Sequence, residues 1–234
     1  PMSGTANPLS ILTTEAQVAS WNSQGLPSDR VSVENGAVVV NSARWPLMID
    51  PQLQGIAWVR EREGAGLCIV RLGQPDILIK LGKAVEDGTS VLIENMGERI
   101  DAVLTPVVTR ATTKKGSRRI VKLGDKDLDL NPNFRLFLHT KLSNPHYPPE
   151  IQAETTLVNF MITPLGLEEQ LLSLVIRKER PDLAQAKGQL VVSMAKMKKE
   201  MSDIEDQILH LLASAEGNIL DDENLINTLA QSKV

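Results

Sequence analysis

Aromatic residues make up only 3% of this 234-residue chain, and it holds one cysteine, Cys68. The first shortage forces an aliphatic core on a chain that is still 42% hydrophobic. The second excludes an internal disulfide and any cysteine-rich zinc site. Cys68 lies in the apolar run Leu67-Cys68-Ile69-Val70 and reads as a buried structural thiol in a reducing compartment. An excess of positive charge is also missing. The formal net charge is −4, which argues against nucleic acid, because binding it requires a basic field. No apolar run approaches the roughly 18 residues of a membrane span. The N-terminus lacks the basic-then-apolar pattern of a secretion signal, and residues 1–8 read as a disordered lead-in or an appended scar. The length suits one α/β domain with an appendage or two small domains.

What is present changes character near residue 165. Before it, short β-rich runs alternate with helical patterns between Pro and Gly punctuation. Strands are predicted at Ala37–Val40, Pro46–Ile49, Leu67–Leu72, Ser90–Ile93, Arg135–Thr140 and Leu157–Ile162. Several are continuous apolar runs, the mark of parallel strands covered on both faces. Crossover helices are expected at Gln54–Arg62, Asp76–Asp87 and Asp101–Arg110, giving a three-layer, doubly wound α/β sheet. One hairpin interrupts it: Ile120–Leu123 and Leu128–Leu130 flank the turn-rich Gly124-Asp125-Lys126-Asp127. The basic run Lys114-Lys115-Gly116-Ser117-Arg118-Arg119 reads as a solvated loop before that hairpin, with an acidic neighbouring surface as its sharper explanation.

After residue 165 helix formers dominate. Leu167–Glu179 is predicted as one helix, with Arg180-Pro181 as a kink or restart. Then Leu190, Met194, Met197, Met201, Ile204, Ile208 and Leu211 recur at spacings of 4-3-4-3-4-3, the a and d positions of three heptads. Lys196 with Glu200 and Lys199 with Asp203 can pair one turn apart. A methionine-rich stripe at this spacing is a packing seam, adaptable to a partner helix that shifts. Gly217-Asn218 should break the helix, and Asp221 or Asp222 should cap a return helix carrying Leu225, Ile226 and Leu229. That return is much shorter than the ascending arm, so the hairpin reads as truncated.

Ligands of doubly wound sheets sit beyond the C-terminal ends of the strands. After Pro46–Ile49 a phosphate loop requires G-x-x-x-x-G-K-[ST]. The residues there run from Asp50 to Ala57, and only Gly55 fits. Asp50 replaces the first glycine, Ile56 the lysine that neutralises phosphate, and Ala57 the hydroxyl that holds magnesium. After Val91-Leu92-Ile93 the metal-binding Asp-Glu pair is replaced by Glu94-Asn95, and an asparagine is no general base. Catalysis and cofactor binding are therefore not expected. His139, His146 and His210 have no carboxylate or cysteine at ligand spacing, so no metal site is expected.

Several stretches resemble one family. Gln24-Gly25-Leu26-Pro27-Ser28-Asp29, the run Arg44–Gln52 and Gly124–Asp127 are similar to the fifth AAA+ module of dynein heavy chains. So are Gly166–Leu172 and Lys178–Leu183, while Asn131–Arg135 and His139–Tyr147 resemble the axonemal branch. The resemblance runs from Leu9 to Val234. It implies a degenerate, P-loop NTPase-like AAA+ large subdomain at residues 9–165, a connecting helix at 166–182 and a buttress (strut) coiled coil at 183–234. It also implies that ATP and magnesium are bound by other modules of the ring. The implied partners are neighbouring AAA+ modules, the stalk coiled coil, the microtubule at the end of that stalk, and dynein intermediate and light chains through the parent chain. The implied location is the axoneme of a cilium or flagellum. Two readings compete: a nucleotide-binding or ATPase domain with a non-standard site, and an unrelated coiled-coil adaptor that dimerises through residues 190–211.

Overall fold

The structure, a computed structural model, describes residues 9–116 and 118–214. They fall into two units. One is Trp21–Leu172, and the other combines the described residues up to Ser20 with those from Ser173.

The chain opens with α1 (Leu9–Leu12) and α2 (Glu15–Ser23), neither expected from the sequence. A capping box starts α2: the Thr14 amide donates to Gln17 Oε1 at 2.9 Å and the Gln17 amide to Thr14 Oγ1 at 3.3 Å. Next comes α3 (Arg30–Asn41), which contains Ala37-Val38-Val39-Val40. That run was expected as a strand, and the correction has a physical cause. Asp29 caps the helix, its carboxylate accepting the Ser32 amide and the Ser32 hydroxyl, each at 2.9 Å. Val33, Gly36 and Ala37 then fall on one buried helical face. A Cβ at Gly36 would lie 2.8 Å from Leu26 Cδ2 and 3.3 Å from Trp21 Cε3, so any larger residue makes both side chains shift to keep α3 this close. Capping and packing outweigh the β preference of three successive valines.

From there the alternation predicted for the sheet appears. Its elements are β1 (Trp45–Ile49), α4 (Gln54–Glu63), a 3₁₀ turn (Gly64–Gly66), β2 (Cys68–Arg71), α5 (Ile77–Asp87) and β3 (Ser90–Glu94). Then follow α6 (Thr105–Val108), β4 (Thr112–Lys115), β5 (Arg118–Leu123), β6 (Lys126–Asp129), β7 (Arg135–Thr140), α7 (Pro149–Glu154) and β8 (Thr155–Asn159). The main sheet has five parallel strands in the order β2-β3-β7-β1-β8. The crossover through α4 travels one way along this sheet and that through α5 the other. The right-handed rule then puts the two helices on opposite faces. Leu47, Val91, Ile93, Leu136 and Leu138 join Leu81, Val85 and Val121 in one core. Met48, Leu92 and Phe137 point the other way and are equally closed to solvent. Each fully buried aliphatic or aromatic side chain of this kind contributes about 1.5–3 kcal/mol.

Three expectations change in detail. The crossover predicted at Asp101–Arg110 shrinks to the single turn of α6, and Arg110 ends it in a left-handed conformation (φ 53°). β8 begins two residues before the predicted Leu157 and ends at Asn159, because Pro164 already opens α8 (Pro164–Glu179). The Phe160 amide still reaches the Ile49 carbonyl at 2.9 Å. The basic run is no loop. Lys114 and Lys115 lie in β4, and Arg118 and Arg119 in β5, so the expected hairpin gains a third strand and forms the antiparallel sheet β4-β5-β6. Gly124, at φ 60°, makes the first residue of its two-residue turn to β6.

In the other unit, α9 (Pro181–Ser214) runs 34 residues, about 50 Å at ~1.5 Å per residue. The predicted restart falls at its first residue, and Arg180 makes a bidentate ion pair with Asp182 across the break, the closer contact 2.8 Å. Lys196 and Glu200 pair at 3.7 Å. The Lys199 and Leu211 side chains, the Gly217-Asn218 tip and the return helix from Asp221 lie outside the described residues, as do residues 1–8.

Asp29→Ala should lower the unfolding free energy by about 1 kcal/mol, the usual value of an N-cap. A shifted chemical-denaturation midpoint with unchanged slope measures it.

Candidate functional site

β1, β7 and β3 lie side by side, so their C-terminal ends bring Asp50, His139-Thr140 and Glu94-Asn95 to one edge of the sheet. This is the edge at which parallel α/β sheets hold ligands.

Asp50 has no exposed surface. Its amide is anchored by the Thr140 carbonyl at 3.0 Å. Its side chain turns back into the N-terminus of α4, where Oδ1 accepts the Gln54 amide and Oδ2 the Ile56 amide, both at 2.9 Å. The Gly55 amide also favours the charged form. Leu53 occupies the N-cap position of α4 in a left-handed conformation (φ 63°) and has no polar side chain to offer. The carboxylate of Asp50 therefore performs the capping, as an anion set against the positive end of the helix dipole. These are the amides that, in a phosphate loop, point at phosphate. Burial pushes the Asp50 carboxyl above its ordinary range, against the opposing pull of the Ile56 and Gln54 amides and of His139.

Gly55 matches the phosphate motif by letter but has another role. A Cβ there would meet three atoms of the Phe160 ring at 2.9–3.1 Å. The buried ring of Phe160, just beyond β8, packs directly on the backbone of the loop. Ile56 is buried in the position of the missing lysine, and Ala57 is exposed. Gln54 and Gln170 of α8 exchange amide hydrogen bonds at 2.8 and 3.4 Å, tying the loop from a second side.

Glu94 is buried, and both of its oxygens are engaged. Arg60 of α4 holds Oε1, and Arg71, its neighbour across β2–β3, holds Oε2 at 3.1 Å. Burial alone would raise the Glu94 carboxyl, but the two guanidinium groups more than offset it and hold it below the ordinary range. Asn95 adopts a left-handed conformation (φ 53°), which asparagine tolerates. Its amide donates to His139 Nδ1 at 3.2 Å. Nδ1 is thus an acceptor, and the neutral ring carries its hydrogen on Nε2, which faces the Asp50 carbonyl at 3.4 Å. Burial lowers the imidazole below the ordinary histidine value, with the Asp50 carboxylate pulling it back. Thr140 Oγ1 donates to the Met96 carbonyl at 2.8 Å and completes the cross-links between strand ends.

Asp50, Gly55, Ile56, Glu94 and Asn95 therefore do converge. His139, Arg60, Arg71 and Phe160 join them without having been singled out for this site. The seam residues form a separate feature on α9. Leu190, Met194, Met197 and Met201 are 56–64% exposed, and Ile204 and Ile208 are half-buried.

Gly55→Ala should cost about 1–3 kcal/mol through overpacking against Phe160. A lowered melting temperature in thermal unfolding tests this; an unchanged one would mean that the ring can move aside.

Comparison with known proteins adds the family. The family described as "ATP-binding dynein motor region" matches residues 19–234. The flagellar outer arm dynein alpha chain of Chlamydomonas reinhardtii is 54% identical over 231 residues, which cover 98% of this chain and 5% of that one. The ciliary dynein beta chain of Tripneustes gratilla is 51% identical over 225 residues, 96% of this chain and 5% of that protein. Dynein axonemal heavy chain 17 of Mus musculus is 48% identical over 233 residues, again 5% of its length. The chain thus spans about one-twentieth of the relatives it matches. With nearly its whole length aligned at such identity, this chain belongs to the motor region of the axonemal dynein heavy chains.

Proposed function

We propose that this chain is the fifth AAA+ module of an axonemal dynein motor. It relays ATP-driven movements of the ring through a buttress coiled coil to the microtubule-binding stalk, and it does not hydrolyse ATP itself. Its place is the axoneme of a cilium or flagellum. Its direct partners are neighbouring AAA+ modules and the stalk; intermediate and light chains are reached through the parent chain.

The observation that carries the non-catalytic reading is the Asp50 carboxylate seated on the Gln54 and Ile56 amides. A triphosphate does not fit this donor set. Its anchoring amides are taken, the resident carboxylate would repel it, and Ile56 offers no compensating cation. Nor does magnesium fit at Glu94, whose oxygens face Arg60 and Arg71. The loop is closed by groups of its own chain, so the module holds one shape whatever the nucleotide level.

Support for the relay comes from α9. A stripe of exposed Leu and Met at heptad spacing demands a partner helix, because apolar surface of this extent is costly in water. Leu190, Met194, Met197, Met201, Ile204, Ile208 and Leu211 form that contact. A coiled coil has discrete registers, so a small displacement of its base becomes a two-state change at the far end.

Titration of Mg-ATP into the isolated chain by calorimetry should give no binding heat; micromolar binding would favour a surviving nucleotide site. In an intact motor, the double substitution Met197→Glu, Met201→Glu should uncouple microtubule affinity from nucleotide state. Co-sedimentation with microtubules, with and without ATP, measures that coupling, and an unchanged ATP effect would refute the relay.

A further inference from the structure

We propose that the end of the β4–β5 hairpin, with the cleft beside it, docks an acidic segment of the same heavy chain.

The charge is concentrated where it is least easily held. Residues 112–123 carry five cations (Lys114, Lys115, Arg118, Arg119, Lys122) and no acid, in a chain of net charge −4. The register sets like charges directly opposite each other: Lys114 faces Arg119, and Lys115 faces Arg118. Opposed like charges destabilise a strand pair. On one face the conflict is relieved from within, because Lys115 meets Asp127 at 3.8 Å and Arg118 meets Asp129 at 3.1 Å. Strand alternation puts Arg119 on the other face, with Val121 and Leu123, and its partner Lys114 with it. That face turns its buried end towards the core through Val121, Leu123 and Leu128. At its exposed end no carboxylate of the described residues forms an ion pair with Lys114 or Arg119. A strand pair left with this unrelieved repulsion is completed by an anionic neighbour.

The cleft supplies the space. It encloses about 900 Å³. Trp45, Pro132 and Phe134 give it an apolar wall, and Arg110, Arg118 and Arg119 a basic one. Arg110 stacks over the Trp45 ring at 5.7 Å and bonds the Ala43 carbonyl, so its charge is held in place without a carboxylate. Of the two acids lining the cleft, Glu86 and Asp129, the second is already engaged by Arg118. The surplus is positive and sits beside an aromatic wall. A peptide with carboxylates and an apolar side chain matches it; a bare anion would leave the wall unused. The relatives are about twenty times longer than this chain. Segments of the same polypeptide are tethered to the hairpin and meet it intramolecularly, an advantage over free proteins wherever the tether spans the distance.

Zero-length coupling of amines to carboxylates in the purified heavy chain, read by mass spectrometry, tests this. Lys114 should couple to an Asp or Glu of the same heavy chain outside residues 1–234. The product should be lost in Arg119→Glu and kept in Arg119→Lys. Raising the salt to about 0.5 M should lower its yield, since exposed charge pairs are screened. Coupling only within residues 1–234, coupling to a different polypeptide, or a yield insensitive to both Arg119→Glu and salt would each overturn the proposal.

Discussion

The carboxylate of Asp50, folded back onto the amides that open α4, is the interaction on which the rest of the ligand edge depends. The first amides of a helix must find acceptors, and Leu53 at the N-cap has none to give. Hydrogen bonds to a charged acceptor are worth about 1.5–3 kcal/mol each when made, and the cost of leaving such donors buried and unmatched is similar. In a phosphate-binding relative the nucleotide meets that need. Here the same need is met by a residue two positions before Gln52, within the loop itself. The loop's amides are satisfied by its own carboxylate, which repels like charge at the same position.

A second internal substitution accompanies the first. Arg60 and Arg71 give Glu94 the positive partners that a metal ion would otherwise supply. His139 then sits between the two ends, neutral and with a defined tautomer, joining the Asn95 amide to the Asp50 carbonyl. Both charges of the site are matched from within. A protein that binds a ligand gains stability with its concentration, about 2.7 kcal/mol at a hundredfold excess over Kd. A site filled by its own side chains has no such dependence. That constancy suits the proposed role, in which this block transmits movement generated elsewhere.

How legible this was depended on whether the controlling contact was local. The parallel sheet showed in the continuous apolar runs of β1, β3 and β7, and α9 in its heptads after Arg180-Pro181, because each signal lies within one element. Gly124 announced its turn for the same reason, but the turn takes only Gly124 and Asp125; Lys126 and Asp127, expected in the loop, open β6, which ends at Asp129 rather than Leu130. The three valines of α3 misled, since the cap from Asp29 and the close approach at Gly36 are set by packing that β preference does not contain. β4 was missed because Thr112–Lys115 is exposed on both faces and shows no apolar alternation. At the site, the loss of the phosphate motif was visible in Asp50 and Ile56. What replaced it was not. Arg60 and Arg71 meet Glu94 only through the register of β2 with β3 and the placement of α4, and the reason for Gly55 lies a hundred residues away in Phe160.

Whether Asp50 or a nucleotide occupies the amides of this small cradle is decided by one structure. The intact heavy chain, saturated with Mg-ATP, should be solved at a resolution that shows side-chain oxygens. The account predicts both Asp50 carboxylate oxygens within hydrogen-bond distance of the Gln54 and Ile56 amides while other modules of the ring hold nucleotide. A phosphate oxygen on those amides, with Asp50 rotated out of the loop, would contradict it.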